Sequence, residues 1–140
     1  MTRDPKVELI SSVPIFSRLG RREIEQVAML LDEVDVPAGK VLMRQGELGS
    51  EMFIVASGRF RIDRNGTTIA ERGPGAALGE ISMIAEGART ATVTAEEPSR
   101  VLVAGHREFH RLMDEHPTIK MQILEGLAVK IRTIDEAGVH

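Results

Sequence analysis

Ala76–Ala95 reads AALGEISMIAEGARTATVTA, and the order of residue types in it decides how the rest of the chain is read. Gly79 lets the backbone turn sharply and approach a ligand, because it lacks the Cβ that forbids such angles to other residues. Glu80 to Ala85 have the composition of one helical turn. Its free N–H groups would point back toward Gly79, and together with the positive end of the peptide dipoles they would make an anion site. Arg89 comes nine residues after Glu80, at the expected start of a strand, and can fold back over the same turn. Its planar guanidinium can grip two phosphate oxygens at once. The arrangement asks for a ligand that carries a phosphate and a hydroxyl.

Outward from this stretch the chain divides into three textures. Before it, short β-rich runs alternate with glycine: Lys40–Arg44, Glu51–Ala56, Arg59–Arg64 and Thr67–Glu71. Thr90–Ala95 and Arg100–Ala104 continue the pattern behind it. Asn65-Gly66 is a strong two-residue hairpin signal. Glycines 39, 46, 49, 58, 73, 75 and 79 mark corners, where backbone angles closed to other residues are expected. Many short strands with frequent turns predict a barrel or jelly roll. On the N-terminal side, Arg21–Val34 is expected to be helical, with Ile24, Val27, Ala28 and Leu31 on one face, Gly20 as its cap and Glu23 in its first turn. On the C-terminal side, His106–Glu115 and Pro117 to about Glu136 are the expected helices. Ile123, Leu127, Ile131 and Ile134 form an apolar stripe on the second.

Composition narrows the function. The chain's 140 residues are about one domain's worth. A net charge of −3 with no clustered basic face offers no electrostatic footprint for nucleic acid, so no direct nucleic-acid partner is expected. With few residues after the last expected helix, a helix-turn-helix is not expected. Cysteine is absent, which excludes disulfides, a thiol nucleophile, zinc fingers and iron–sulfur clusters. The start, MTRDPKVELISS, is too polar for a signal peptide, and no apolar run approaches the ~18 residues of a membrane helix. No membrane partner is therefore expected, and the expected location is cytoplasmic. With no Trp or Tyr and only four Phe, a bound base must be held by something other than aromatic stacking.

On these residues the chain resembles the cyclic-nucleotide-binding domain family, as found in cyclic-AMP-dependent kinase regulatory subunits, cyclic-nucleotide-gated channels and the bacterial catabolite activator. The matching segment is the family's phosphate-binding cassette, here Gly79-Glu80-Ile81-Ser82 followed by Arg89-Thr90-Ala91. Val13-Pro14-Ile15-Phe16, Leu19, Gly39, Gly46-Glu47, Gly49, Met52-Phe53-Ile54-Val55 and Gly58 fit its helical start, first strands and corners. The resemblance implies a mainly β fold with flanking helices, the double-stranded β-helix or jelly roll. A single domain would span 1–140, with an N-terminal helical segment 1–34, a β-roll 35–105 carrying the cassette, and C-terminal helices 106–136.

The resemblance also implies roles. Glu80 would accept hydrogen bonds from the ribose 2′-hydroxyl, and Arg89 would neutralise the cyclic phosphate. Amides around Gly79, Ile81, Ser82 and Thr90 would complete the cradle. Ile62 and Ile69 align with inward positions and are candidates for the base pocket. The Thr90 hydroxyl can reach the phosphate or the exocyclic amine of guanine, so it does not decide the base. The expected ligand is cyclic AMP first and cyclic GMP second. Ala88 stands where many members have proline before the arginine. With no aromatic cap available, an aliphatic lid from the last helix, Leu124 or Leu127, would cover the base. Further implied partners are a second copy of the chain through the C-terminal helix and an effector protein, addressed when ligand reorders the short helix after Gly79.

Competing readings are weaker. Taken alone, Glu80 and Arg89 read equally as a structural ion pair. The rival function is a degenerate fold of this kind, a ligand-free protein-interaction or dimerisation module. Gly73-Pro74-Gly75 with Gly79 is no dinucleotide fingerprint, since Leu78 takes the third glycine's place. Histidines 106, 110, 116 and 140 all follow the β-region, so neither a metal site nor a catalytic residue is expected, and no cofactor beyond the ligand itself. The expectation is a sensor and not an enzyme.

Overall fold

The computed structural model describes residues 4–80 and 87–136, with side chains described through residue 129. Two compact units separate: Leu31–Arg107, which is β, and Met1–Leu30 with Glu108–His140, which is helical.

Among the described residues of the β unit, ten strands run in chain order: β1 (Asp32–Val36), β2 (Val41–Met43), β3 (Leu48–Gly49), β4 (Glu51–Ser57), β5 (Phe60–Arg64), β6 (Thr67–Arg72), β7 (Ala77–Leu78), β8 (Gly87–Ala88), β9 (Thr92–Ala95) and β10 (Ser99–Gly105). Two four-stranded antiparallel sheets have the orders β1-β10-β4-β7 and β2-β9-β5-β6, and β3 pairs with β8. Neighbours far apart in sequence, such as β1 with β10 and β2 with β9, give the jelly roll that the alternation of short strands and turns predicts. One apolar core joins both sheets. Val36, Phe53, Val55, Leu78 and Val101 come from one sheet, and Met43, Phe60, Val93 and Ala95 from the other. Phe60 is fully buried there.

The Asn65-Gly66 hairpin forms as predicted. Both residues have positive φ, 53° and 79°, as a type I′ turn between β5 and β6 requires. A bulge follows it. Ile62 lies opposite Ala70, but Asp63 lies opposite Thr68, so Ile69 is the extra residue.

The helical unit contains α1 (Pro5–Ser11), a 3-10 turn (Pro14–Phe16), α2 (Arg21–Ala28), most of α3 (His106–Glu115) and α4 (Pro117–Glu136). Asp4 caps α1 by accepting from the Lys6 amide at 2.9 Å. Gly20 opens α2, with its amide donating to the Glu23 carboxylate at 3.1 Å. Phe16 and Phe109 meet with ring centroids 5.9 Å apart. On α4, Ile123 is buried and Leu127 half-buried; the expected continuation of that stripe through Ile131 and Ile134 falls on side chains outside the described residues.

One expected element is corrected. The helix predicted over Arg21–Val34 stops at Ala28, and Asp32–Val36 is strand β1. The cause is backbone pairing: every β1 residue faces a β10 residue, from Asp32 opposite Val103 to Val36 opposite Ser99. Arg100 reinforces the edge by donating to Asp35 at 2.9 Å. Val34 remains exposed, so no inward apolar period announced the strand. No described helix is long and apolar enough to cross a membrane.

Candidate functional site

The two ends of the cassette are stitched to consecutive strands. On the leading side β7 pairs with β4, Leu78 opposite Phe53, which delivers Gly79 to the start of β4. On the trailing side β8 pairs with β3, Ala88 opposite Leu48 and Gly87 opposite Gly49, which delivers Arg89 to the same corner. Gly79 and Arg89 thereby meet. A Cβ built on Gly79 would stand 2.5 Å from Nη1 of Arg89 and 3.0 Å from the Glu51 carbonyl oxygen, and Gly79 has φ +75°. Only a residue without a side chain satisfies both the angle and the close approach.

The backbone of Arg89 is fixed by two hydrogen bonds to the turn between β2 and β3. Its amide donates to the Glu47 carbonyl at 2.8 Å, and its carbonyl accepts from the Gly46 amide at 2.8 Å. Its side chain lies over Gly49, where a Cβ would fall 1.8 Å from Nε, and Nη2 donates to the Glu51 carbonyl at 2.8 Å. Burial pushes the guanidinium pKa down, and the nearby Glu51 carboxylate pulls it back up. A guanidinium stays protonated under either influence. A half-buried cation of this kind gains from an anion that replaces its lost hydration.

Glu80, next to this corner, is 8% exposed and is the only buried titratable side chain among the described residues. A buried carboxylate is retained where hydrogen-bond donors face it. Beside Arg89 a mostly polar pocket of about 240 Å³ opens, lined by Val41, Met43 and the charged residues Arg44, Glu47, Glu51 and Arg89. The corner offers a cation and carboxylates. Among the described residues no three His, Asp or Glu side chains are grouped to hold a metal ion.

The sequence profile of the cyclic nucleotide-binding domain matches residues 33–116. The chain belongs to the cyclic nucleotide-binding domain family. Membership supports binding of a cyclic nucleotide as a regulatory module. The domain is 30% identical over 127 residues to the cyclic AMP receptor protein of Thermus thermophilus, covering 87% of this chain and 59% of that protein. It is 34% identical over 112 residues to a cyclic nucleotide-gated potassium channel of Mesorhizobium japonicum, covering 80% of this chain and 31% of the channel. The chain thus spans less than two thirds of either relative. Among solved structures, the N-terminal domain of a transcriptional regulator from Streptomyces coelicolor superposes with a TM-score of 0.84 at 25% identity, covering 92% of this chain and 96% of that one.

Within the domain, the structure brings Gly79, Glu80 and Arg89 to one corner. Thr90 follows with its side chain exposed and its carbonyl accepting from Nε of Arg64 at 3.1 Å. Arg89 and Thr90 sit between strands β8 and β9, not at the start of a strand as expected. Ile81 and Ser82, and the expected helical turn after Gly79, lie outside the described residues. Ile62 is half-buried against the core, whereas Ile69 on the bulge is 49% exposed; neither is among the described residues lining the pocket. Leu124 and Leu127, the expected lid, belong to the helical unit, and Leu124 is 38% exposed.

Sequence reasoning missed Glu51, Glu47 and the reason for Gly49. Both glutamates accept from Arg89 through main-chain carbonyls, which every residue type carries, and Glu51 adds its carboxylate charge. Gly49 and Gly73 are not among the positive-φ glycines, contrary to the expectation for both. Gly49 is needed for the space above it, and its spacing from Gly46 was the one available hint.

Proposed function

We propose that the domain binds a 3′,5′-cyclic nucleotide, cyclic AMP in preference to cyclic GMP, and serves as a regulatory sensor without a catalytic step of its own. The observation that carries the reading is the Arg89 guanidinium, half-buried and held against the turn at Gly79. Arg89 neutralises the cyclic phosphate, with amides near Gly79, Ile81, Ser82 and Thr90 around it. Glu80 takes the ribose 2′-hydroxyl. Ile62 and Ile69 are assigned to the base. The preference for cyclic AMP is supported by the Thermus thermophilus relative, whose name is cyclic AMP receptor protein. The site falls in the β-roll 35–105 of a single domain spanning 1–140. A second copy is assigned to the C-terminal helix, where Met121 and Leu124 are exposed, and an effector protein is the assigned recipient of the signal.

Calorimetric titration with cyclic AMP and cyclic GMP tests the reading, with Arg89→Ala as control. A charged hydrogen-bonded partner removed from a buried pair costs about 2–5 kcal/mol. Against a micromolar affinity of about −8 kcal/mol, that leaves binding near the limit of detection. Absence of heat and of thermal shift at millimolar ligand would overturn the reading and leave a ligand-free interaction module.

A further inference from the structure

Arg89 is held by a turn, and that turn is itself held by side chains outside the cassette. Arg44–Glu47 closes with the Glu47 amide donating to the Arg44 carbonyl at 3.1 Å and Gly46 at φ +86°, as in a type II turn. Its inner edge carries both hydrogen bonds to the Arg89 backbone. Its outer edge is Gln45, whose side-chain amide pairs reciprocally with Asn65 at the tip of the β5–β6 hairpin. Nε2 of Gln45 donates to Oδ1 of Asn65 at 2.8 Å, and the Asn65 amide donates to Oε1 of Gln45 at 2.8 Å. The backbone donor fixes which Gln45 atom is oxygen, so the other must be the nitrogen and must face an acceptor. The Gln45 amide donates in turn to Oγ1 of Thr92 at 3.0 Å. One residue beyond Arg89, the Thr90 carbonyl accepts from Arg64, the neighbour of Asn65.

From these contacts we infer that Gln45 and Asn65 are positioning residues for the anion site. The hairpin tip clamps the Arg44–Glu47 turn, and the turn sets the backbone of Arg89. The chemistry favours this arrangement over two independent surface turns. Asn tolerates positive φ, so Asn65 can shape a type I′ turn and still present its side chain. A short loop between strands of three and two residues has little pairing of its own to fix it. Without the clamp, Arg89 keeps its side chain and its partners but loses a fixed origin, and preorganisation is what a charged binding group needs in order to act strongly.

The effect on ligand rests on the cyclic-nucleotide reading, whereas the effect on the backbone does not, and the experiment measures both. Gln45→Ala removes both amide contacts. Asn65→Gly keeps the positive φ and the backbone donor and removes one. Asn65→Asp keeps the acceptor oxygen and the turn. Each is examined by amide hydrogen exchange at Gly46 and Arg89, by thermal melting, and by titration with cyclic AMP and cyclic GMP at about 150 mM salt. The expected result is exchange at those two amides faster by about three- to tenfold in Gln45→Ala, less in Asn65→Gly, and within about twofold of wild type in Asn65→Asp. Nucleotide affinity falls in the same order and by similar factors, and melting temperatures stay close together. Unchanged exchange at Gly46 and Arg89 in Gln45→Ala overturns the inference whether or not a nucleotide binds. Faster exchange with wild-type affinity for a bound nucleotide overturns it as well. A wild-type protein that binds neither nucleotide, yet shows the exchange pattern, upholds the clamp and rejects the ligand reading alone.

Discussion

Replacing Gly49 by alanine separates the fold of the β unit from its site. The new Cβ would fall 1.8 Å from Nε, 2.3 Å from Cζ and 2.7 Å from Cδ of Arg89. All three obstructing atoms belong to one long flexible side chain, and Gly49 does not have the positive φ that penalises a side chain. The strand pair β3·β8 is therefore left intact, and the arginine must move. Moving it breaks the bond from Nη2 to the Glu51 carbonyl, which at a half-exposed site contributes about 0.5–1.5 kcal/mol. Fewer unfolded conformations for alanine than for glycine return about 0.4–1 kcal/mol. The two terms nearly cancel, and the expected change in unfolding free energy is within about 1 kcal/mol.

Ligand affinity does not share that cancellation. The phosphate contact proposed for Arg89 would contribute about 2–5 kcal/mol as one side of a buried charge pair. A displaced but still tethered guanidinium recovers part of it, so the expected loss is at least about 1.4 kcal/mol, or tenfold. Thermal melting without ligand and calorimetric titration with cyclic AMP and cyclic GMP read the two quantities separately. Wild-type affinity in Gly49→Ala at unchanged stability would show that Arg89 need not lie over Gly49 to bind. Destabilisation beyond about 2 kcal/mol would show that glycine is required there by the strand pair itself, and the spatial account would be wrong.

Other substitutions probe different causes. Gly79→Ala forces a side chain onto φ +75° and against the Glu51 carbonyl at 3.0 Å, so a loss of about 1–3 kcal/mol is expected with nucleotide binding abolished, and a melting curve matching wild type would contradict it. Gly126→Ala places a Cβ 2.6 Å from the Ile15 carbonyl oxygen and 2.9 Å from that of Pro14, main-chain atoms that cannot swing aside. Denaturant titration should show the helical unit weakened by about 1–3 kcal/mol, and no change would mean that α4 and the 3-10 turn separate freely. Glu96 is raised by desolvation first and by its hydrogen bond to Glu71 next, whereas Glu71 is lowered by that same hydrogen bond and then by Arg59. A raised group stabilises at pH below its unfolded value and loses that contribution as pH rises through its folded value, whereas a lowered group contributes above its unfolded value and fades in acid. Glu96→Gln keeps a donor for Glu71 without the second charge, so it should melt above wild type at neutral pH and converge with it in acid; a pH-independent difference would exclude the shared proton.

What the sequence made legible follows from which signals are local. Asn65-Gly66 announced its turn because positive φ at two successive residues has a short list of tolerant side chains, and that turn is present. The runs Arg59–Arg64, Thr90–Ala95 and Arg100–Ala104 were legible as strands, and Phe60, Val93 and Val101 within them lie in the cluster joining both sheets. Strands β3, β7 and β8 were invisible, since two residues carry no alternation and gain their structure from partners elsewhere in the chain. Strand β1 was read as the end of a helix because Asp32-Glu33-Val34-Asp35 has no inward period; pairing with β10 decides it. Ile69 aligned as an inward residue, but the bulge that sets its direction depends on register with β5, which no single strand encodes.

The site divides along the same line. Glu80 and Arg89 became candidates through their place in the cassette pattern from Gly79 to Ala91, since taken alone the pair reads equally as a structural ion pair. What brings Arg89 to Gly79 is main-chain geometry: the Glu51 and Glu47 carbonyls, the Gly46 amide, and the missing Cβ atoms at Gly49 and Gly79. Each of those groups is common to nearly every residue, so composition cannot mark them. The three-dimensional constraint appears in sequence only as glycines, which local reading assigns to turns. At Gly49 that assignment misstates the cause, because the glycine leaves room for an arginine forty residues away. Gln45 and Asn65 show the complementary case, since polar residues at turns are ordinarily explained by solvent. Their reciprocal amide pair becomes visible only when two turns twenty residues apart are seen to touch. The proposed anion site would therefore be specified by two side chains and by a backbone arrangement held from outside the cassette. A substitution at Gly49, Gln45 or Asn65 can weaken the site while every residue of the cassette remains in place.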